Sequence, residues 1–244
     1  MHFLIQTIKG AVVHDFAFAL KQAIDFQTWF YGEEQHSVSY SDTPTLSGPI
    51  ANGKVIPVGS NEFVFAYIQQ CEPKAPKNIE PIYIPTPLQT EAFLGRSLSR
   101  ETDIENALIN QTFPVFVKSA TQYKGVTSLL ERRVGLPADE YWLSSCISIQ
   151  SEWRGFIHNH ELLDVRSYAG DFRATPDFDK MDAMIAAYRN EAPAAYTLDV
   201  AVTETGDTVI LEVHPFVSCG LYGFDQGDKL IKMLIDGYRA LLAT

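Results

Sequence analysis

The sequence predicts a mixed fold, α+β in class. Two long stretches, 14–28 and 226–242, carry apolar residues at helical spacing. Short apolar runs such as FPVFVK (113–118) and DTVILEVHP (207–215) read as strands. Helix-like and strand-like segments alternate along the chain, which excludes an all-α or all-β architecture.

Taken in order, residues 1–10 form an apolar strand that stops at Gly10, and HDFAFALKQAIDFQT (14–28) forms a helix. The stretch 36–60 is rich in Ser, Thr, Pro and Gly. Within it KVIPVGS (54–60) reads as a strand into a turn, followed by a helix over 61–70. Pro73, Pro76, Pro81, Pro85 and Pro87 then make a linker or an extended crossing, because proline removes amide donors and fixes φ. Beyond it come a short helix (101–110), a buried strand (113–118) and a polar loop (119–128). Residues 142–168 alternate strand-like segments around a turn at His158–Glu161, and 178–191 form a helix. YTLDVAVTE (196–204) and DTVILEVHP (207–215) make a hairpin about Thr205–Gly206. The helix 226–242 puts Leu230, Ile231, Leu234, Ile235, Tyr238 and Leu241 on one face.

Composition excludes several functions. At 46% hydrophobic and 20% charged residues, the chain has material for a real core. Thirty acidic and 19 basic side chains give a net charge of −11, which argues against nucleic acid as a partner. No apolar run nears the roughly 18 residues of a membrane span, so no membrane partner is expected. His2, Lys9, His14 and Asp15 break the N-terminal apolar stretch, unlike a signal peptide. Cys71, Cys146 and Cys219 are odd in number and far apart, as for reduced thiols in a cytoplasm.

The hairpin carries the sharpest constellation. A two-residue turn sets Asp199 opposite Glu212, with His214 on the same face and Val209, Leu211 and Val213 on the other. Facing carboxylates destabilise a sheet unless a cation lies between them. Oxygen-rich clusters suit Mg2+, which shares its coordination with water and nucleotide phosphates. The same spacing also fits a solvated outer face. Lys118 ends a buried strand and opens a loop holding Lys124 and Gly125, where a lysine reaches a phosphate or simply caps a strand. In SEWRGF, Glu152, Arg154 and Phe156 share a face. Arg154 and Arg166 sit mid-strand on adjoining strands, placed either to hold an anion or to pair with nearby acids.

In this order, Lys118, Glu-Trp-Arg-Gly-Phe, Arg166, Asp199 and Ile-Leu-Glu-Val-His-Pro-Phe, the pieces resemble the ATP-grasp superfamily. The nearest likeness is a divergent clade related to the eukaryotic translation-initiation-factor assembly protein, which IPVGSNEFV (56–64) also resembles. The resemblance implies an ATP-grasp fold over 89–244, with two subdomains and ATP between them, behind an N-terminal α/β pre-ATP-grasp domain over 1–88. It implies ATP and Mg2+ as cofactors, and an ATP-dependent carboxylate–amine ligase working through an acyl phosphate. A nucleotide-binding assembly protein with little turnover is the alternative. Substrates would be a small-molecule or peptide carboxylate and an amine. Lys118 and Lys124 would meet phosphate. Ser145, Cys146 and Ile147 would lie near the hinge that receives adenine, with Glu152 also on the nucleotide. Arg154 and Arg166 would face the phosphates, and Asp199, Glu212 and His214 would hold the metal. His214 stands where the family usually has Asn. Imidazole is a poorer Mg2+ ligand, so the substitution admits a preference for Mn2+, a water-mediated contact or weakened catalysis.

Overall fold

The computed structural model describes residues 1–45, 55–72, 74–76 and 79–243. Lys54, placed by sequence at the start of a strand, and Pro73 in the proline-rich crossing lie outside the described residues.

The chain opens with β1 (His2–Gln6), α1 (Asp15–Tyr31), β2 (Ser37–Ser41), β3 (Val55–Val58) and α2 (Asn61–Cys71). The three strands form a parallel sheet in the order β2-β1-β3. Phe3, Leu4 and Ile5 are all buried, as expected of a parallel strand covered on both faces. The first strand ends at Gln6, earlier than the apolar run. Lys9 and Gly10 both adopt positive φ in a tight turn that pairs Ile8 with Ala11. Strand β2 carried no sequence signal, since SVSYS is serine-rich and only half-buried. Helix α1 ends at Gly32, in the left-handed region with its amide donating to the Thr28 carbonyl.

Among its described residues the proline-rich crossing carries one 3-10 turn, at Thr86–Leu88. It is pinned to the rest of the molecule where the Val213 amide donates to the Tyr83 carbonyl at 2.5 Å. Next come α3 (Glu91–Leu94), β4 (Leu98–Glu101), α4 (Ile104–Ala107), β5 (Val115–Ser119), β6 (Thr127–Leu130) and β7 (Tyr141–Ser145). The four strands make an antiparallel sheet, β4-β7-β5-β6. Two expectations change here. The helix expected over 101–110 is a single turn of α-helix continued by a 3-10 turn, and Glu101 belongs to β4. The loop expected over 119–128 gives way to β6 at Thr127.

The remaining elements are β8 (Ile149–His158), β9 (Glu161–Gly170), α5 (Phe178–Tyr188), β10 (Ala195–Thr203), β11 (Thr208–Pro215) and α6 (Gly227–Ala243). They build a second antiparallel sheet, β11-β10-β8-β9. Tyr196, Leu198 and Val200 of β10 point to one core, shared with α5 and Leu88. Ala195 points to the other, where α6 packs with α1, α2 and the N-terminal sheet. The last helix therefore belongs to the same core as the first seventy residues.

The hairpin holds a correction. Its loop is three residues, Glu204 to Gly206, closed by the Thr203 amide on the Asp207 carbonyl, so near the tip Val202 faces Thr208. A bulge then leaves Leu211 unpaired, and beyond it Asp199 faces Glu212 and Thr197 faces His214. The expected acid pair forms by a different route, and Leu211 does not join Val209 and Val213 in the core.

Candidate functional site

A row of charged side chains crosses the β11-β10-β8-β9 sheet on one face. Glu212 faces Asp199, Asp199 faces Arg154, and Arg154 faces Arg166. Strand alternation sets this row, because directly paired residues point to the same side.

Asp199 is buried, and Arg154 closes on it with two hydrogen bonds: Nε to Oδ1 at 2.8 Å and Nη2 to Oδ2 at 2.7 Å. The third side of the guanidinium donates to the Gly220 carbonyl at 3.1 Å. Burial works against the charge on Arg154, but the Asp199 carboxylate outweighs it and raises the pKa. Tyr168 and Tyr222 lie over the guanidinium at 5.7 and 5.1 Å. Burial first, then the Asp199 and Glu152 carboxylates, push the Tyr168 phenol far up, so it stays protonated.

Glu212 accepts from Lys118 and lies 2.7 Å from His214 Nε2. Burial alone would raise its pKa. The hydrogen bond and charge of His214, with those of Lys118, win and hold the carboxyl well below the ordinary range. Asp199, Glu212 and His214 each offer a ligand atom, and these atoms lie within 4.8 Å of one another. Two carboxylates and an imidazole fit a dication, and the cations now paired with the acids supply the charge it would bring.

Lys118 comes from β5 of the other sheet and sits 4.8 Å over the Tyr83 ring. It marks one wall of a cavity of about 300 Å3 between the two sheets. Ser145, Cys146 and Ile147 line this cavity where the chain passes from β7 to β8, with Glu152 and Glu212 on the opposite side. Ser97 and Ser145 exchange amide-to-hydroxyl bonds at 3.1 and 3.2 Å, fastening that crossing to β4. Cys146 donates its thiol to the Pro114 carbonyl at 3.3 Å.

Of the expected residues, Lys124, Arg154, Arg166, Asp199 and His214 do not line this cavity. Lys124 is bonded to Glu62 of α2 at 2.8 and 3.1 Å. Arg166 lies across from Arg154 but is fastened to Asp164 at 2.9 and 2.6 Å. Cys219 is buried beside the Arg154–Asp199 pair, with its thiol pushed up to about 12 by burial, which leaves it no nucleophilic role. Sequence reasoning missed Tyr83, Arg96, Tyr168 and Leu211. Tyr168 was findable, two residues beyond Arg166 on the same face. Tyr83 was not, since only the pairing with Val213 brings it in.

The model of an ATP-grasp domain, family 2 of the clade written R-2-K, matches residues 93–231, more than half of the chain. This chain belongs to the ATP-grasp superfamily. The two antiparallel sheets with a cavity between them are its ATP-grasp fold. D-alanine–D-alanine ligase from Bacillus anthracis superposes with a TM-score of 0.56 at 12% identity, covering 99% of this chain and 98% of that one. A RimK domain ATP-grasp protein from Sphaerobacter thermophilus gives 0.55 at 12% identity, with full coverage of both. N5-carboxyaminoimidazole ribonucleotide synthetase from Thermotoga maritima gives 0.54 at 12%, covering 96% of this chain and 75% of that one. No curated protein sequence matches the chain significantly. At these identities the ATP-grasp neighbours speak to fold. Among the described residues, no helix is long and apolar enough to cross a membrane.

Proposed function

We propose that this chain is an ATP- and Mg2+-dependent ligase that joins a carboxylate to an amine through an acyl phosphate. The observation that carries the reading is the charged row Glu212–Asp199–Arg154–Arg166, whose Glu212 lines the cavity between the sheets together with Lys118. Two of the solved structures it superposes on are a D-alanine–D-alanine ligase and a carboxyaminoimidazole ribonucleotide synthetase, and membership of the superfamily supports the same class.

In this reading the base lies against Cys146 and Ile147, where the chain crosses between sheets, and Lys118 turns from Glu212 to the phosphates. Asp199, Glu212 and His214 would hold the dication, which neutralises phosphate oxygens when bound. Arg154 stays fixed by Asp199 and Gly220 and presents a steady positive field to charge that develops on the transferred group. Arg166 leaves Asp164 for the same anion. The protonated Tyr168 phenol donates a hydrogen bond there. Substrates are a small-molecule or peptide carboxylate and an amine, handled in the cytoplasm.

Thermal unfolding with ATP and Mg2+ tests the site. Ligand at 100 times Kd adds about 2.7 kcal/mol. The shift should vanish in Lys118→Ala and Glu212→Ala and persist in Lys124→Ala. An unchanged shift in Glu212→Ala would remove the reading. One observation favours a second reading, a nucleotide-binding assembly protein with little turnover, as in the initiation-factor assembly clade. Both candidate metal carboxylates are already paired with a cation, Asp199 with Arg154 and Glu212 with Lys118. ADP release dependent on an added carboxylate and amine would defeat it.

A further inference from the structure

Helix α1 turns its inner residues Phe16, Leu20, Ile24 and Gln27 to the core. Its outer face is as aromatic as a core. Phe18, Phe26, Trp29, Phe30 and Tyr31 are 60%, 58%, 76%, 63% and 52% exposed. Phe26 packs against Trp29 and Phe30 at 5.8 and 6.0 Å, and Phe30 against Tyr31 at 5.0 Å, so the rings form one surface. A contiguous apolar patch this large on a free helix face marks an interaction site.

We propose that α1 is the seam of a homodimer, with two copies packed antiparallel about a two-fold axis beside Gln22. The face is self-complementary under that operation, as an isologous interface requires. Phe18 and Phe26 lie four residues to either side of the exposed Gln22, so each Phe18 meets the partner's Phe26. Trp29, Phe30 and Tyr31 run past the start of the partner's helix, where Val12 and Val13 are themselves 37% and 53% exposed. Charge agrees with this direction: the acidic end, Glu33 and Glu34, approaches the partner's exposed Lys9. A parallel pairing would set the acidic ends together.

The area suffices. Aromatic side chains of about 200 Å2, exposed by half or more, give about 600 Å2 on this face. Two copies then bury about 1,200 Å2, the lower range of stable specific interfaces. The seam also reaches the charged row. Asp15, the first residue of α1, accepts from the Leu221 amide at 2.8 Å, one residue beyond the Gly220 carbonyl that holds Arg154. The inference is independent of the nucleotide reading.

Sedimentation velocity from about 1 to 100 μM tests it. The wild-type chain should run at twice 27.3 kDa. The Phe26→Asp/Trp29→Asp variant should run as a monomer, its dimer dissociation constant raised ~100-fold or more, with an unchanged circular dichroism spectrum. Gln22→Cys, in a Cys71→Ser/Cys146→Ser background, should form a disulfide between its two introduced thiols under mild oxidation. That cross-link decides the matter if the double variant fails to fold. A wild type that stays monomeric throughout, or a dimer that survives the double variant, overturns the proposal. The first of these outcomes would assign the face to a different protein.

Discussion

Asp199 receives two hydrogen bonds from the single guanidinium of Arg154, in a pair whose side chains are 1% and 9% exposed. The pair lies between directly facing positions of β10 and β8. Removing one partner from such a pair strands a buried charge, at a cost of about 3–5 kcal/mol. Asp199→Ala should lower stability by about that amount in chemical denaturation. Arg154→Met/Asp199→Leu should recover most of it while losing metal-dependent nucleotide binding. A double variant no more stable than Asp199→Ala would show that the pair is net stabilising.

In the proposed reading metal choice rests on His214, whose Nε2 already meets Glu212 at 2.7 Å. Imidazole strengthens binding of first-row transition dications more than of Mg2+. Isothermal titration of the nucleotide-loaded chain should show Mn2+ bound more tightly than Mg2+. His214→Asn should narrow the ratio ~10-fold, mainly by weakening Mn2+. An unchanged ratio would place the imidazole outside the coordination sphere.

The depressed carboxyl of Glu212 fixes the sign of one pH effect. Its folded pKa lies below the ordinary value of 4.5, because His214 and Lys118 together outweigh burial. Its stabilising contribution is therefore complete above pH ~4.5 and is lost as pH falls toward the folded value. Glu212→Gln should flatten the acid limb of a stability–pH curve below pH ~4.5. An unaltered acid limb would contradict the pairing.

Helix α6 approaches the segment after the site through Gly237. A Cβ there would stand 2.2 Å from the Phe216 carbonyl oxygen, two residues beyond His214. Backbone cannot yield as a flexible side chain does. Gly237→Ala should cost ~1–3 kcal/mol by thermal unfolding. It should also weaken metal-dependent nucleotide binding, since relief requires moving Phe216.

Much of this was legible in one sequence because the period-2 pattern is local. Asp199 and Glu212 sit on strands whose alternation announces their common face, while Arg154 joins them only through the pairing of β8 with β10, and the long amphipathic α6 announces its apolar side. The short elements were not. Strand β2 is a run of serines, and β4 and β6 have four residues each, too few for a period to stand out. Lys124 shows another limit. Its position after a strand suggested phosphate, while long-range packing set its ammonium on Glu62. Tyr83 comes from a stretch whose prolines announce only irregularity.

The bulge at Leu211 can be seen as an insertion. Delete that residue and β11 becomes a regular strand under the same three-residue loop, with the glutamate still opposite Asp199. The acid pair thus does not need the extra residue. What the insertion contributes is a side chain on the wall of the cavity that Glu212 and Lys118 also line. If the site works as proposed, the hairpin keeps its chemistry and its fit to the bound molecule on separate residues. Substitutions at Leu211 can reshape the space proposed for the base while the carboxylates stay in register, a route by which such a site changes what it accepts without changing what it does.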